Sequence, residues 1–144
     1  MDGRRIPEEV RHLLRDRVSS YEELEILLLL AREPGIGRTP EVVGELARVP
    51  ALAAAAALER LRGTGLIEQS PGDGELAYRY RPDGPFSDTV DLLVRESHEN
   101  PVEIIKLMSA NAIERIRMSA LVVFADAFVL RSDTDRRDGD KRDG

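Results

Sequence analysis

Leu58-Glu59-Arg60-Leu61-Arg62-Gly63-Thr64-Gly65-Leu66-Ile67 is the stretch on which the fold turns. Leu58 and Leu61 stand one helical turn apart and mark the face by which a helix docks. Gly63 and Gly65 follow at once, and glycine ends helices because the left-handed backbone after the last turn costs it little. Leu66-Ile67 then opens a short apolar run. A helix feeds directly into a strand.

Working outward, that helix begins at Ala51, after Pro50, and is rich in alanine. Before it, Thr39-Pro40-Glu41 is a start signal: a hydroxyl cap, a proline in the first turn and an acid near the positive helix end. The helix it starts spans Pro40 to Arg48 and shows Val42, Val43 and Leu46. After Leu66-Ile67-Glu68-Gln69 comes a turn cluster, Ser70-Pro71-Gly72-Asp73-Gly74. Leu76 to Arg81 then alternates, with Leu76, Tyr78 and Tyr80 on one side and Ala77, Arg79 and Arg81 on the other. Pro82-Asp83-Gly84-Pro85 closes the unit.

The flanks are helical. Ile6 to Val18 has Pro7 at its first position, Glu8 and Glu9 in its first turn, and Val10, Leu13, Leu14 and Val18 as its stripe. Ser19 and Ser20 each have a glutamate three residues on, the capping-box spacing. Tyr21 to Arg32 is apolar on most sides, which makes it a central core helix, and Glu33-Pro34-Gly35 ends it. Ser87 caps a helix to about His98 with Val90, Leu93 and Val94. Asn100-Pro101-Val102-Glu103 starts the last one, which reaches Leu130 through Ile105, Met108, Ala112, Ile113, Ile116, Ala120, Phe124 and Ala127, with Ser109-Ala110-Asn111 as a break point. Arg131 to Gly144 holds five bases, five acids and no large apolar residue, and reads as a disordered tail.

Helices followed by a two-stranded ribbon, with Thr39 to Ala47 as a first helix and Leu58 to Ile67 as the end of a second, resemble the winged helix-turn-helix superfamily of bacterial regulators, MarR-like proteins included. The resemblance covers roughly Tyr21 to Arg81. Pro101-Val102, Ser109 to Arg117 and Phe124-Ala125-Asp126-Ala127-Phe128 resemble a group of small, largely uncharacterised bacterial winged-helix proteins with a helical appendage. The expected fold is mainly α, a winged helix-turn-helix core with a two-stranded wing and a C-terminal helical extension. The expected divisions are an N-terminal helix at 1–19, the winged-helix domain at 20–84, an oligomerising extension at 85–130 and the tail at 131–144.

What the resemblance implies is that the helix after Pro50 enters the major groove of double-stranded DNA while the wing touches phosphate or the minor groove. The cations available are Arg48, Arg60, Arg62, Arg79 and Arg81. Reading bases requires hydrogen-bonding side chains on the exposed run, and Pro50-Ala51-Leu52-Ala53-Ala54-Ala55-Ala56-Ala57 has none. From Glu41 to Arg62, Arg48, Arg60 and Arg62 are cancelled by Glu41, Glu45 and Glu59. The arginines form either a phosphate-contacting edge or ordinary solvated charge. The alanine run is either a docking face with its methyl groups outward or a buried face. Two functions follow. One is a dimeric DNA-binding transcriptional regulator; the other is an adaptor whose alanine-rich helix or C-terminal helices dock a protein.

Leu121 to Leu130 is apolar around most of the helix and needs a cover. A homodimer through Ile113, Ile116, Leu121, Phe124 and Phe128 is one answer; packing back on Tyr21 to Leu30 is the other. Asp126 within that stripe needs a partner if buried, and Arg115 and Arg117 are candidates. Glu114, Arg115 and Arg117 beside Asn111 are either a polar interaction motif or an intrahelical charge pattern.

Composition narrows the rest. The chain has 144 residues with 42% hydrophobic and 33% charged, enough apolar material for one core. A net charge of −6 disfavours indiscriminate polyanion binding. With no cysteine and two histidines, His12 and His98, neither a metal nor any other cofactor is expected. No nucleophile elbow, P-loop or zincin motif is present, so no enzyme is expected. The first residues lack the apolar core of a signal peptide, and Met118 to Leu130 is shorter than the roughly 20 residues that span a bilayer. The expectation is a soluble, cytoplasmic, non-membrane protein.

Overall fold

A computed structural model describes residues 5–70 and 76–143, with side chains as far as residue 129. By their contacts the residues fall into two compact units, Met1–Ser109 and Ala110–Gly144.

In the first unit, α1 (Glu8–Asp16) buries Val10, Leu13 and Leu14 against α5 (Ser87–Glu99). Pro7 sits at the N-cap rather than inside the first turn. The next helix, α2 (Tyr21–Arg32), is the core helix its composition suggests, with Leu24, Ile26, Leu27 and Leu30 all nearly inaccessible. Ser20 caps it, its hydroxyl accepting from Glu23 N at 3.1 Å. Glu23 reaches back one residue beyond the usual reciprocal partner and accepts from Ser19 N at 3.0 Å.

Between α2 and α3 (Pro40–Ala47) the ribbon gains a further rung. Arg38 and Tyr78 exchange backbone hydrogen bonds, N to O and O to N, both 2.9 Å. The approach is so close that a Cβ on Gly37 would lie 2.7 Å from Ser70 Oγ. Thr39 caps α3 by accepting from Val42 N at 3.3 Å, as its start signal predicts.

The turn from α3 to α4 (Ala51–Gly63) is fixed by backbone. Val49 N donates to Gly44 O at 2.9 Å, and a Cβ on Gly44 would meet Val49 O at 2.8 Å. Arg48, expected as the last helical residue, is instead a cap in the left-handed region at φ 60°. Leu58 and Leu61 dock α4 at 0% exposure, together contributing about 3–6 kcal/mol. Strands β1 (Ile67–Ser70) and β2 (Ala77–Tyr80) pair antiparallel, Ile67 opposite Tyr80 and Ser70 opposite Ala77. Tyr78 and Tyr80 face inward. Leu76 lies beyond the strand, half exposed, and the turn residues 71–75 lie outside the described set.

Ser87 does not cap α5. It occupies the first helical position after Phe86, and its N–H donates to Gly84 O. The Phe86 ring instead lies 4.2 Å below the Arg17 guanidinium. The final helix, α6 (Pro101–Asp143), departs from its expected course in two ways. Its inward residues in the first unit are Ile104 and Met108, and Ile105 is 46% exposed, so the stripe begins one position earlier than read. The helix runs through Ser109-Ala110-Asn111 without a break. Its backbone is helical to Asp143: no proline follows Pro101, and acids and bases three and four apart suit a solvated helix as well as a solvated coil.

Mainly helical, with a two-stranded antiparallel sheet following α3 and α4, the first unit is a winged helix-turn-helix. Among the described residues no helix is long and apolar enough to cross a membrane.

Candidate nucleic-acid interface

The alanine run does not present its methyl groups outward as a set. Ala54 and Ala57 are fully buried with Leu58 and Leu61, Ala53 and Ala55 are half-buried, and only Ala51 and Ala56 are exposed. The outward ridge of α4 is Leu52, Ala56 and Glu59, spaced at four and three. Leu52 is 86% exposed. Neither hydroxyl, amide nor cation stands on the first two turns, so the bidentate base contacts that discriminate by about 1–3 kcal/mol each have no donor here.

The five arginines have distinct surroundings. The Arg48 backbone N–H donates to Gly44 O, while its side chain makes no hydrogen bond or ion pair with any described residue and sits exposed at the turn before α4. Arg60 Nε lies 2.6 Å from Glu23 Oε2. Arg62 Nη2 lies 2.9 Å from Glu59 Oε1, one turn back on the same helix. On the ribbon, Arg79 and Arg81 flank the one carboxylate of Glu68 at 2.8 Å and 3.7 Å.

Two carboxylates organise this surface: Glu23 is legible in the sequence as a capping-box residue but not as a partner of Arg60, and Glu59 only as a helix charge. Burial pushes the Glu23 carboxyl up, but the Ser19 hydroxyl, the Ser19 N–H and the Arg60 guanidinium outweigh it and hold it below the usual range. Glu59 is drawn down to about 2, chiefly by Arg62 and next by the Tyr78 hydroxyl, which donates to it. Burial, with Glu59 beside it, raises Tyr78 in turn. The inward alternation of Tyr78 was legible; that its hydroxyl ties the ribbon to α4 was not. Tyr80 is raised by burial and by Asp91 and Asp88. His12 is 3.5 Å from Glu8, one turn away, and no group of three or more potential metal ligands occurs among the described residues.

In the second unit, Ile113, Ile116, Leu121, Phe124 and Phe128 are all more than half exposed. Asp126 is exposed too, and Arg117 lies 3.8 Å from Glu114 on its own helix.

No protein-family model matches the chain, and no curated protein matches it. Among solved structures it is similar to the NMR structure of a homodimeric winged helix-turn-helix DNA-binding domain from Mycobacterium bovis, described as a possible ArsR-family transcriptional regulator. Identity is 24%, coverage 62% of this chain and 78% of that one, and the TM-score 0.44. It is also similar to the crystal structure of RV1404 from Mycobacterium tuberculosis, at 19% identity, 83% and 81% coverage and a TM-score of 0.48.

Proposed function

We propose that the protein is a non-enzymatic, cytoplasmic, dimeric DNA-binding transcriptional regulator of the MarR-like kind, which holds double-stranded DNA mainly through phosphates. The observation that carries this is the exposed ridge of α4 at Leu52, Ala56 and Glu59, bracketed by Arg48 before the helix and Arg62 at its end, beside a ribbon carrying Arg79 and Arg81. Exposed ion pairs contribute only about 0–1 kcal/mol, so Arg62, Arg79 and Arg81 can exchange a carboxylate for a phosphate at little cost. Arg60 cannot, because leaving Glu23 at 1% exposure without its cation costs more. With no base-reading side chain on the ridge, selectivity rests on duplex shape and on Leu52 and alanine methyls against thymine methyls. The exposed apolar residues Ile113, Ile116, Leu121, Phe124 and Phe128 join two chains and double the number of phosphate contacts.

The deciding experiment is a duplex titration at graded salt. Four arginines per chain, eight per dimer, predict log affinity falling with log salt at a slope of about −7. An absence of binding at low salt overturns the proposal. A second reading, an adaptor that docks a protein through α4, is favoured by one observation: among the described residues the most exposed large apolar one is Leu52, at the start of that helix. Leu52→Glu then abolishes partner capture in a protein with no duplex affinity.

A further inference from the structure

Beyond the first unit, α6 carries large apolar side chains that no described residue covers: Ile116 is 70% exposed, Val123 67% and Phe124 69%. Of the heptad frames that can be laid on residues 113–127, one keeps both seam positions apolar throughout, namely Ile113, Ile116, Ala120, Val123 and Ala127. Every other frame puts Glu114, Arg115, Arg117 or Ser119 on the seam. Within this frame, one seam position is alanine at 120 and 127, and the other is β-branched at 116 and 123.

We propose that this seam binds the same helix of a second copy of this chain, running antiparallel. Direction follows from size. In a parallel pair like faces like, so Ala120 meets Ala120 and Ala127 meets Ala127, and thin layers alternate with thick ones made of Ile116 and Val123. In an antiparallel pair each alanine faces a β-branched residue, Ala120 against Val123 and Ala127 against Ile116 of the second copy. Each of those layers then holds one small and one large side chain, the arrangement that fills space evenly. The flanks agree. Antiparallel pairing sets Arg117 over the ring of Phe124 and the hydroxyl of Ser119 beside the carboxylate of Asp126. Parallel pairing sets Arg117 against Ala112 and Ser119 against Phe124. A seam about 21 Å long is short for an interface that needs about 1,200 Å², so it has no layer to waste.

This rests on the dimer reading above and refines it: Ile113, Ile116 and Phe124 belong to the seam or its flank, while Leu121 and Phe128 lie on the outer side. Because the chain has no cysteine, introduced thiols report without background. Full-length Ile116→Cys and Ala127→Cys chains, mixed and mildly oxidised, should give a cross-linked dimer with one of each by intact mass. Each variant alone should not cross-link, since antiparallel pairing sets like positions about 16 Å apart. Self-cross-linking of either variant overturns the antiparallel assignment and leaves the dimer. Sedimentation of the unmodified chain at 16.0 kDa overturns both. Val123→Lys should weaken association at least tenfold, whereas Met118→Lys, on the far side of the helix, should leave it unchanged; equal weakening by the two overturns the seam.

Discussion

Arg60 Nε and Glu23 Oε2 stand 2.6 Å apart, and the carboxylate is 1% exposed while the arginine is more than half exposed. One end of the contact belongs to the cap of α2 and the other to α4, so it joins the core helix to the helix proposed to meet DNA.

Removing either partner should therefore destabilise the fold by different routes. Arg60→Ala leaves a buried carboxylate held by Ser19 and, at 3.5 Å, by the Ser20 hydroxyl, and should cost about 1–2 kcal/mol, less than a fully buried pair because the arginine is half solvated. Glu23→Ala loses the cap contacts as well and should cost about 2–3 kcal/mol. Urea unfolding at neutral pH measures both. The Glu23 carboxyl lies below its ordinary value, so its contribution is complete above about 4.5 and is lost as pH falls through the lowered value. An Arg60→Ala chain as stable as the parent contradicts the assignment.

Tyr78→Phe should lower the urea midpoint at pH 7 by untying the ribbon from α4. The parent's advantage should shrink as pH falls from the ordinary carboxylate range toward about 2, where Glu59 becomes protonated. A gap that stays constant over that range would show that the lost hydroxyl acts elsewhere.

Glycine substitutions should separate close approach from free space. Gly44→Ala pushes a Cβ to 2.8 Å from the Val49 carbonyl and should cost about 1–3 kcal/mol. Gly63→Ala, with nothing within 4 Å and an ordinary helical backbone, should stabilise α4 by about 0.5–1 kcal/mol. Thermal melts of the two should move in opposite directions.

Arg48 gives a test in which stability and binding part company. Its backbone sits at φ 60°, so Arg48→Gly should stabilise the chain by about 1 kcal/mol. The same change removes a cation beside α4 and should reduce the salt slope of duplex binding by about 1 per chain. Arg60→Ala should leave that slope unchanged.

Periodicity and punctuation in the chain were sufficient for the winged helix-turn-helix: Leu58 and Leu61 before Gly63, the Thr39-Pro40 start, and the alternation ending at Tyr80 are local signals, set by helix period, strand period and backbone freedom within a few residues. The absence of base-reading side chains on the alanine run was equally plain, because no fold adds a donor to alanine. Contacts between residues distant in the chain were decided only in three dimensions. Arg60 meets Glu23, Tyr78 meets Glu59, and Arg38 meets Tyr78 across separations at which composition and spacing carry no information. Which arginines remain free for phosphate depends on those pairings, since a charge is spent or available according to what the packed backbone sets beside it.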